Sequence, residues 1–144
     1  MENARKYLKI HSIVILVLTL SSILSIASGI IGLKNAEIPE GAPSNILQIT
    51  RIFLIVLAAL LLLPQIYVGI KGLKVAKNPD SSKAHIVVAI ILFIFTVIDA
   101  VSPLTAIIKQ NAFGENIAYL LTLIVEAWVY FDYIKYARLV AKGN

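Results

Sequence analysis

The chain has 144 residues, 59% of them apolar and only 15% charged, with a net charge of +5 and a mean hydropathy of +0.88. An ordinary soluble domain is roughly 45–50% apolar and 25% charged, so the polar residues are too few to cover a water-facing shell and the expected solvent is lipid. The absence of Cys removes disulfide frameworks, thiolate metal sites and thiol nucleophiles together.

Lipid offers the backbone no hydrogen-bond partners, so a hydrocarbon layer about 30 Å thick is crossed by about 20 mostly apolar residues in helical form. Four segments meet that demand, at about 10–33, 46–70, 85–108 and 112–136, and none alternates with the period of two that a barrel strand requires. Short connections make consecutive helices antiparallel neighbours. The expected fold is therefore all-α, a single transmembrane domain over 1–144 built as an antiparallel four-transmembrane-helix bundle.

The first span opens on Arg5, Lys6 and Lys9. Arg5 and Lys6, the apolar stretch Ile13 to Leu24, and the small residues Ser25 and Ala27 have the layout of a secretory signal. The apolar run continues through Ile30 and Ile31, which favours an uncleaved span. Ser22, Ser25, Gly29 and Gly32 follow one another at helical spacing and predict a small-residue packing face, the kind that lets helices approach closely in lipid. Pro39, Gly41 and Pro43 punctuate the connection that follows.

The second span carries Arg51 near its start and Pro64 inside it. Pro64 has no amide hydrogen to donate and crowds the Leu60 carbonyl, so a kink is expected, with Gln65 beside it free to bond a neighbouring helix. The segment Gly69-Ile70-Lys71-Gly72-Leu73-Lys74 echoes Gly29-Ile30-Ile31-Gly32-Leu33-Lys34, and both read as helix-ending devices. Asn78, Pro79, Asp80, Ser81 and Ser82 form the next turn signal.

In the third span Thr96, Asp99, Ser102 and Pro103 share a face, and Pro103 predicts a second kink. Lys83-Ala84-His85 at its start matches Lys9-Ile10-His11, a register that sets Ser25 opposite Asp99; the match is short, and Lys and His are common at an interface. After the turn signals Asn111 and Gly114, the fourth span places Glu126 on a face with Tyr119, Tyr130 and Tyr133. Asp132 reads as an interface ion pair near Lys135 and Tyr136, and Trp128 as packing or anchoring.

Orientation follows from the Lys and Arg at the span ends. Arg5, Lys6, Lys9, Lys71, Lys74, Lys77, Lys83, Lys135, Arg138 and Lys142 fall on one side, against Lys34, Arg51 and Lys109 on the other. The positive-inside bias then puts both termini and the middle loop in the cytoplasm of a cell-membrane protein. The same distribution explains the positive net charge by topology and lipid headgroups, with no nucleic acid as partner.

Asp99 and Glu126 are the candidate functional residues. An ionisable group deep in a span costs roughly 2.5–3.5 kcal/mol on insertion scales and persists only when paired, hydrated or useful. Arg51 is the expected counter-ion for Asp99, with Tyr hydroxyls as donors to Glu126. Under a structural reading the acids are sealed by such partners; under a functional one they form an ion or proton site, with Thr96, Ser102, Gln65, Tyr119 and Tyr130 in support.

His11 and His85 lack a Cys or carboxylate at ligand spacing, so an interfacial, solvated role is expected and no metal. No phosphate-cradling glycine loop, nucleotide fingerprint or HExxH motif is present, so neither an enzyme nor a cofactor is expected. The layout resembles that of many small four-span membrane proteins, without a motif that carries a function across. The leading expectation is a non-enzymatic accessory, scaffolding or interaction protein with a helix–helix partner or a second copy. Its rival is a compact ion- or proton-coupled transporter or channel subunit.

Overall fold

The computed structural model describes residues 2–33, 43, 45–79, 83–110 and 112–143, all described secondary structure being helical. Five helical segments occur in order: α1 (Glu2–Gly32), α2 (Ile46–Lys77), α3 (Ala84–Asp99), α4 (Val101–Gln110) and α5 (Glu115–Lys142). α3 and α4 together form one apolar stretch, so four helical stretches are long and apolar enough to cross a membrane. Lys34, Glu37, Pro39, Gly41, Asp80, Ser81, Ser82 and Asn111 lie outside the described residues.

The helices exceed the expected spans mainly at the basic end. α1 starts at Glu2 rather than near Ile10, α2 runs to Lys77 and α5 to Lys142. Hydropathy registers only the apolar stretch of each helix. Beyond it the helix is held by packing: Leu8 on α1, Val75 on α2 and Ala137 and Val140 on α5 are all buried. α5 begins at Glu115, after Gly114, whose φ of 77° lies in the left-handed region that favours glycine.

α2 remains helical through Pro64. The third span is interrupted at Ala100, three residues before Pro103. Pro103 has no N–H for the Asp99 carbonyl, and its ring crowds that oxygen. Bonds from Ala100 N–H to the Thr96 carbonyl (3.2 Å) and from Leu104 N–H to the Ala100 carbonyl (3.3 Å) carry the chain across the junction. Asp99 therefore sits at the end of α3, beside the one break among the described residues of that span.

Around the bundle α1 touches α2 and α5, while α3 touches the same two helices and no contact joins α1 to α3. α1 and α3 thus occupy opposite corners. Neighbours run antiparallel: Tyr7 stacks on Tyr136 at 5.0 Å between ring centroids, Thr19 bonds Gln65, and Tyr119 bonds Asp99.

The core lies in the half of the bundle nearer the basic end, where Leu8, Ser12, Ile15, Val68, Val75, His85, Ala89, Tyr133, Ala137 and Val140 are buried. Tyr133, wholly buried, donates to the Val68 carbonyl at 3.0 Å and meets the His85 ring edge-on at 6.1 Å. A Cβ on Gly72 would stand 2.6 Å from Tyr133 Cε2, and one on Gly69 2.6 Å from Leu16 Cδ2. These two glycines make the close helix approach that the sequence suggests for Gly29 and Gly32, neither of which has a described atom within 4 Å of a Cβ position.

The outer surface is apolar, with Val17, Leu24, Phe53, Leu60, Leu63, Val101, Ile108 and Phe131 more than half exposed. Trp128, 63% exposed, points outward with them rather than into helix packing.

Candidate functional site

At 1.5 Å of rise per residue, Asp99 lies about 22 Å from the start of α3, and Glu126 about 24 Å from the end of α5. Those two helix ends belong to the basic end, so the acids occupy nearly one level, beyond the packed core. Both line two adjoining clefts. The central one, of about 400 Å³, is bounded by all four spans and contains the polar groups of Ser21, Ser22, Ser25, Gln65, Asp99, Tyr119, Thr122 and Glu126. Leu18, Ile26, Leu61, Leu62 and Leu123 supply its apolar wall. The second, of about 350 Å³, lies among α2, α3 and α5, shares Leu61, Gln65, Asp99, Leu123 and Glu126 with the first, and adds Thr96. Its remaining walls include Phe95 and Ile98, both strongly exposed, so this cleft opens sideways through the apolar surface.

The cleft exists because each helix turns a polar face inward where bulk is lacking. Ser22 and Ser25 stand on α1, Thr122 and Glu126 one turn apart on α5, and Thr96 and Asp99 at the end of α3. Several hydroxyls satisfy themselves locally: Ser22 donates to the Leu18 carbonyl, Thr96 to that of Leu92 and Thr122 to that of Ala118. Thr19, buried at the floor, donates to the Ile15 carbonyl at 2.7 Å and lies 3.1 Å from Gln65 Oε1, fixing the amide between α1 and α2.

Tyr119 donates to Asp99 Oδ2 at 2.5 Å, which ties α5 to the α3–α4 junction. Glu126 accepts no hydrogen bond among the described residues, and neither acid has a cationic side chain as partner there. The expected counter-ion is elsewhere: Arg51 Nη2 donates to the Leu33 carbonyl at 2.9 Å, closing the end of α1. That unpaired carbonyl at a helix terminus lies closer to Arg51 in the bundle than sequence adjacency to the third span implied. Among the described residues the two carboxylates share this cleft with hydroxyl and amide groups and with no basic side chain.

The remaining candidates are spread around this centre. Ser102 is exposed and lines neither cleft, Pro103 is buried, and Tyr130 is buried outside both clefts. Gly29 and Gly32 are exposed at the end of α1. Ser25 and Asp99, set opposite each other by the Lys-x-His register, do line one cleft. Ser21, which with Ser25 and Gly29 continues the small-residue spacing of α1, also lines it, whereas Thr122 was not singled out from sequence although it precedes Glu126 by one helical turn.

The histidines differ from their expected setting. His85 is wholly buried against Tyr133, because α3 packs inside the bundle from its first turn. His11 bonds the Tyr7 carbonyl through Nδ1 at 2.8 Å, and its Nε2 lies 3.4 Å from Asp132 Oδ2. Asp132 thus meets α1 rather than Lys135, whose ammonium stands 5.4 Å over the Tyr136 ring. Among the described residues no three His, Asp or Glu side chains converge as a metal would require. No protein-family model matches the chain, and comparison with curated proteins and with solved structures gives no match.

Proposed function

We propose that this is a multi-pass membrane protein that binds a proton or a small cation at Asp99 and Glu126, as a compact transporter or channel subunit without enzymatic activity. The observation that carries this reading is the joint exposure of both acids in a cleft touched by every span, with no basic side chain beside them among the described residues. A volume of about 400 Å³ suits a small ligand, and Gln65, Ser25 and Thr122 offer neutral oxygens around the charge. Tyr119 orients Asp99. The excess of Lys and Arg at one end favours both termini in the cytoplasm of a cell membrane.

Proteoliposomes test the proposal directly. Flux of protons, sodium, potassium or tetraethylammonium above that of empty vesicles is expected, and Asp99→Asn and Glu126→Gln should each abolish it while keeping helical content and melting behaviour. If none of these ions moves through the native chain, or if both variants conduct as it does, the proposal is wrong. Orientation is checked with single cysteines in the naturally Cys-free chain: Glu115→Cys should react from outside intact cells and Lys77→Cys only after permeabilisation.

A second reading, an accessory or scaffolding protein that docks another helix or a second copy, is favoured by Gly29 and Gly32. Both are small, exposed and without a described neighbour near a Cβ position. Under it, Gly29→Cys forms a cross-linked pair of chains in membranes. Absence of cross-linking from a folded variant removes self-association through that face.

A further inference from the structure

Away from the acids, the basic end of α5 bears a second pair of clefts. One, of about 440 Å³, runs between the start of α3 and the end of α5 and is lined by Lys83, Ile86, Val87, Ile90, Arg138 and Lys142 among others. The other, of about 330 Å³, lies along α5 over Phe131, Ile134, Lys135 and Leu139, and is again bordered by Arg138 and Lys142. Arg138 and Lys142, one helical turn apart, form a cationic pair shared by two clefts with largely apolar floors.

Three features give this arrangement a polarity. Lys83, Arg138 and Lys142 are exposed and have no ion-pair partner among the described residues, and no described acid lines either cleft. Asp132, the nearest acid along α5, is turned to His11 of α1. Below the charges both grooves continue along the helices: Phe131 lies about 10 Å beneath Arg138, and Ile90 the same distance beneath Lys83, at 1.5 Å per residue. Positive charge at the level of the helix ends above apolar channels directed toward the hydrocarbon is complementary to one kind of molecule.

We propose that a diacyl phospholipid with an anionic headgroup binds at this shared cationic pair, its phosphate held by Arg138, Lys142 and Lys83. One acyl chain lies in the α3–α5 groove over Val87 and Ile90, the other over Phe131 and Leu139. The guanidinium of Arg138 gives a planar fork for phosphate oxygens, and the two lysines add point charges on either side. The site uses none of the residues of the acid cleft, so it stands or falls separately from the transport proposal.

Native mass spectrometry of the full chain in detergent tests it, with phosphatidylglycerol against phosphatidylcholine carrying the same acyl chains. The native chain should retain one phosphatidylglycerol in preference to phosphatidylcholine by about tenfold or more, as expected for three converging cations. The triple variant Lys83→Gln, Arg138→Gln, Lys142→Gln should lose most of that preference. A control of equal charge change elsewhere at the basic end, Lys6→Gln, Lys9→Gln, Lys74→Gln, should keep it.

Equal losses in the two triple variants would reduce the effect to diffuse surface charge and overturn the site, as would no preference in the native chain. Competition by glycerol phosphate as effective as that by the intact lipid would mark a soluble-anion site and overturn the acyl-chain assignment. Val87→Trp fills one groove without altering charge and, being at an exposed position, should lower phosphatidylglycerol retention with melting in lipid-free detergent unchanged. Undiminished retention in that folded variant also counts against the proposal, whether or not the triple variant folds.

Discussion

The two halves of the bundle solve the problem of helix association in opposite ways. Near the basic end Gly69 and Gly72 bring α2 against Leu16, Ser12 and Tyr133, and the Tyr133 hydroxyl is bonded across to the Val68 carbonyl. Beyond Thr19 and Gln65 the same four spans surround a cleft whose lining mixes Ser, Thr, Tyr, Asp and Glu with Leu and Ile. Close approach at glycine and interhelical hydrogen bonds mark where these apolar helices meet, as is usual for helices that associate in lipid. The packed half is the clamp that permits the far half to stay open.

The comparison is most easily broken at Gly72. Gly72→Leu forces a side chain into Tyr133 and should cost about 1–3 kcal/mol or more, the usual range for overpacking, seen as a fall in melting temperature in detergent. Tyr133→Phe leaves the buried Val68 carbonyl short of this donor and should cost about 1 kcal/mol by the same measurement. On the open side, Tyr119→Phe removes the hydrogen bond to Asp99 at a partly exposed position and should change stability by no more than about 0.5 kcal/mol. In the transport assay the same variant should alter ion flux. Gly29→Leu, with no described atom near its Cβ position, should be nearly silent in melting, within about 0.5 kcal/mol. A loss at Gly29 equal to that at Gly72 would erase the distinction between the halves.

These residues also mark what can be read from sequence. The four apolar stretches and the positions of Asp99 and Glu126 along them were legible because both depend on local composition and on distance along a helix. The interruption before Pro103 follows from covalent chemistry. The choice between Gly29–Gly32 and Gly69–Gly72 was not legible, since Gly-x-x-Gly-Leu-Lys occurs in both places and only the facing side chains, Leu16 and Tyr133, separate them. Arg51 failed as a counter-ion for a similar reason: periodicity gives the face a side chain occupies, while the end of α1 that it caps belongs to the assembled bundle. His85 and Asp132 were placed by proximity in sequence, and helix neighbours overrode it.

The outward position of Trp128 has a practical corollary. It is the single indole in the chain, 63% exposed, and only two residues from Glu126. Its emission therefore arises near the level of the two carboxylates on the apolar outer surface, and under the membrane proposal phospholipids brominated deep along the tail should quench it more than those brominated near the headgroup. Under that proposal the chain carries its own label-free gauge of the depth of the acids, one that also registers whether that depth changes on addition of a cation.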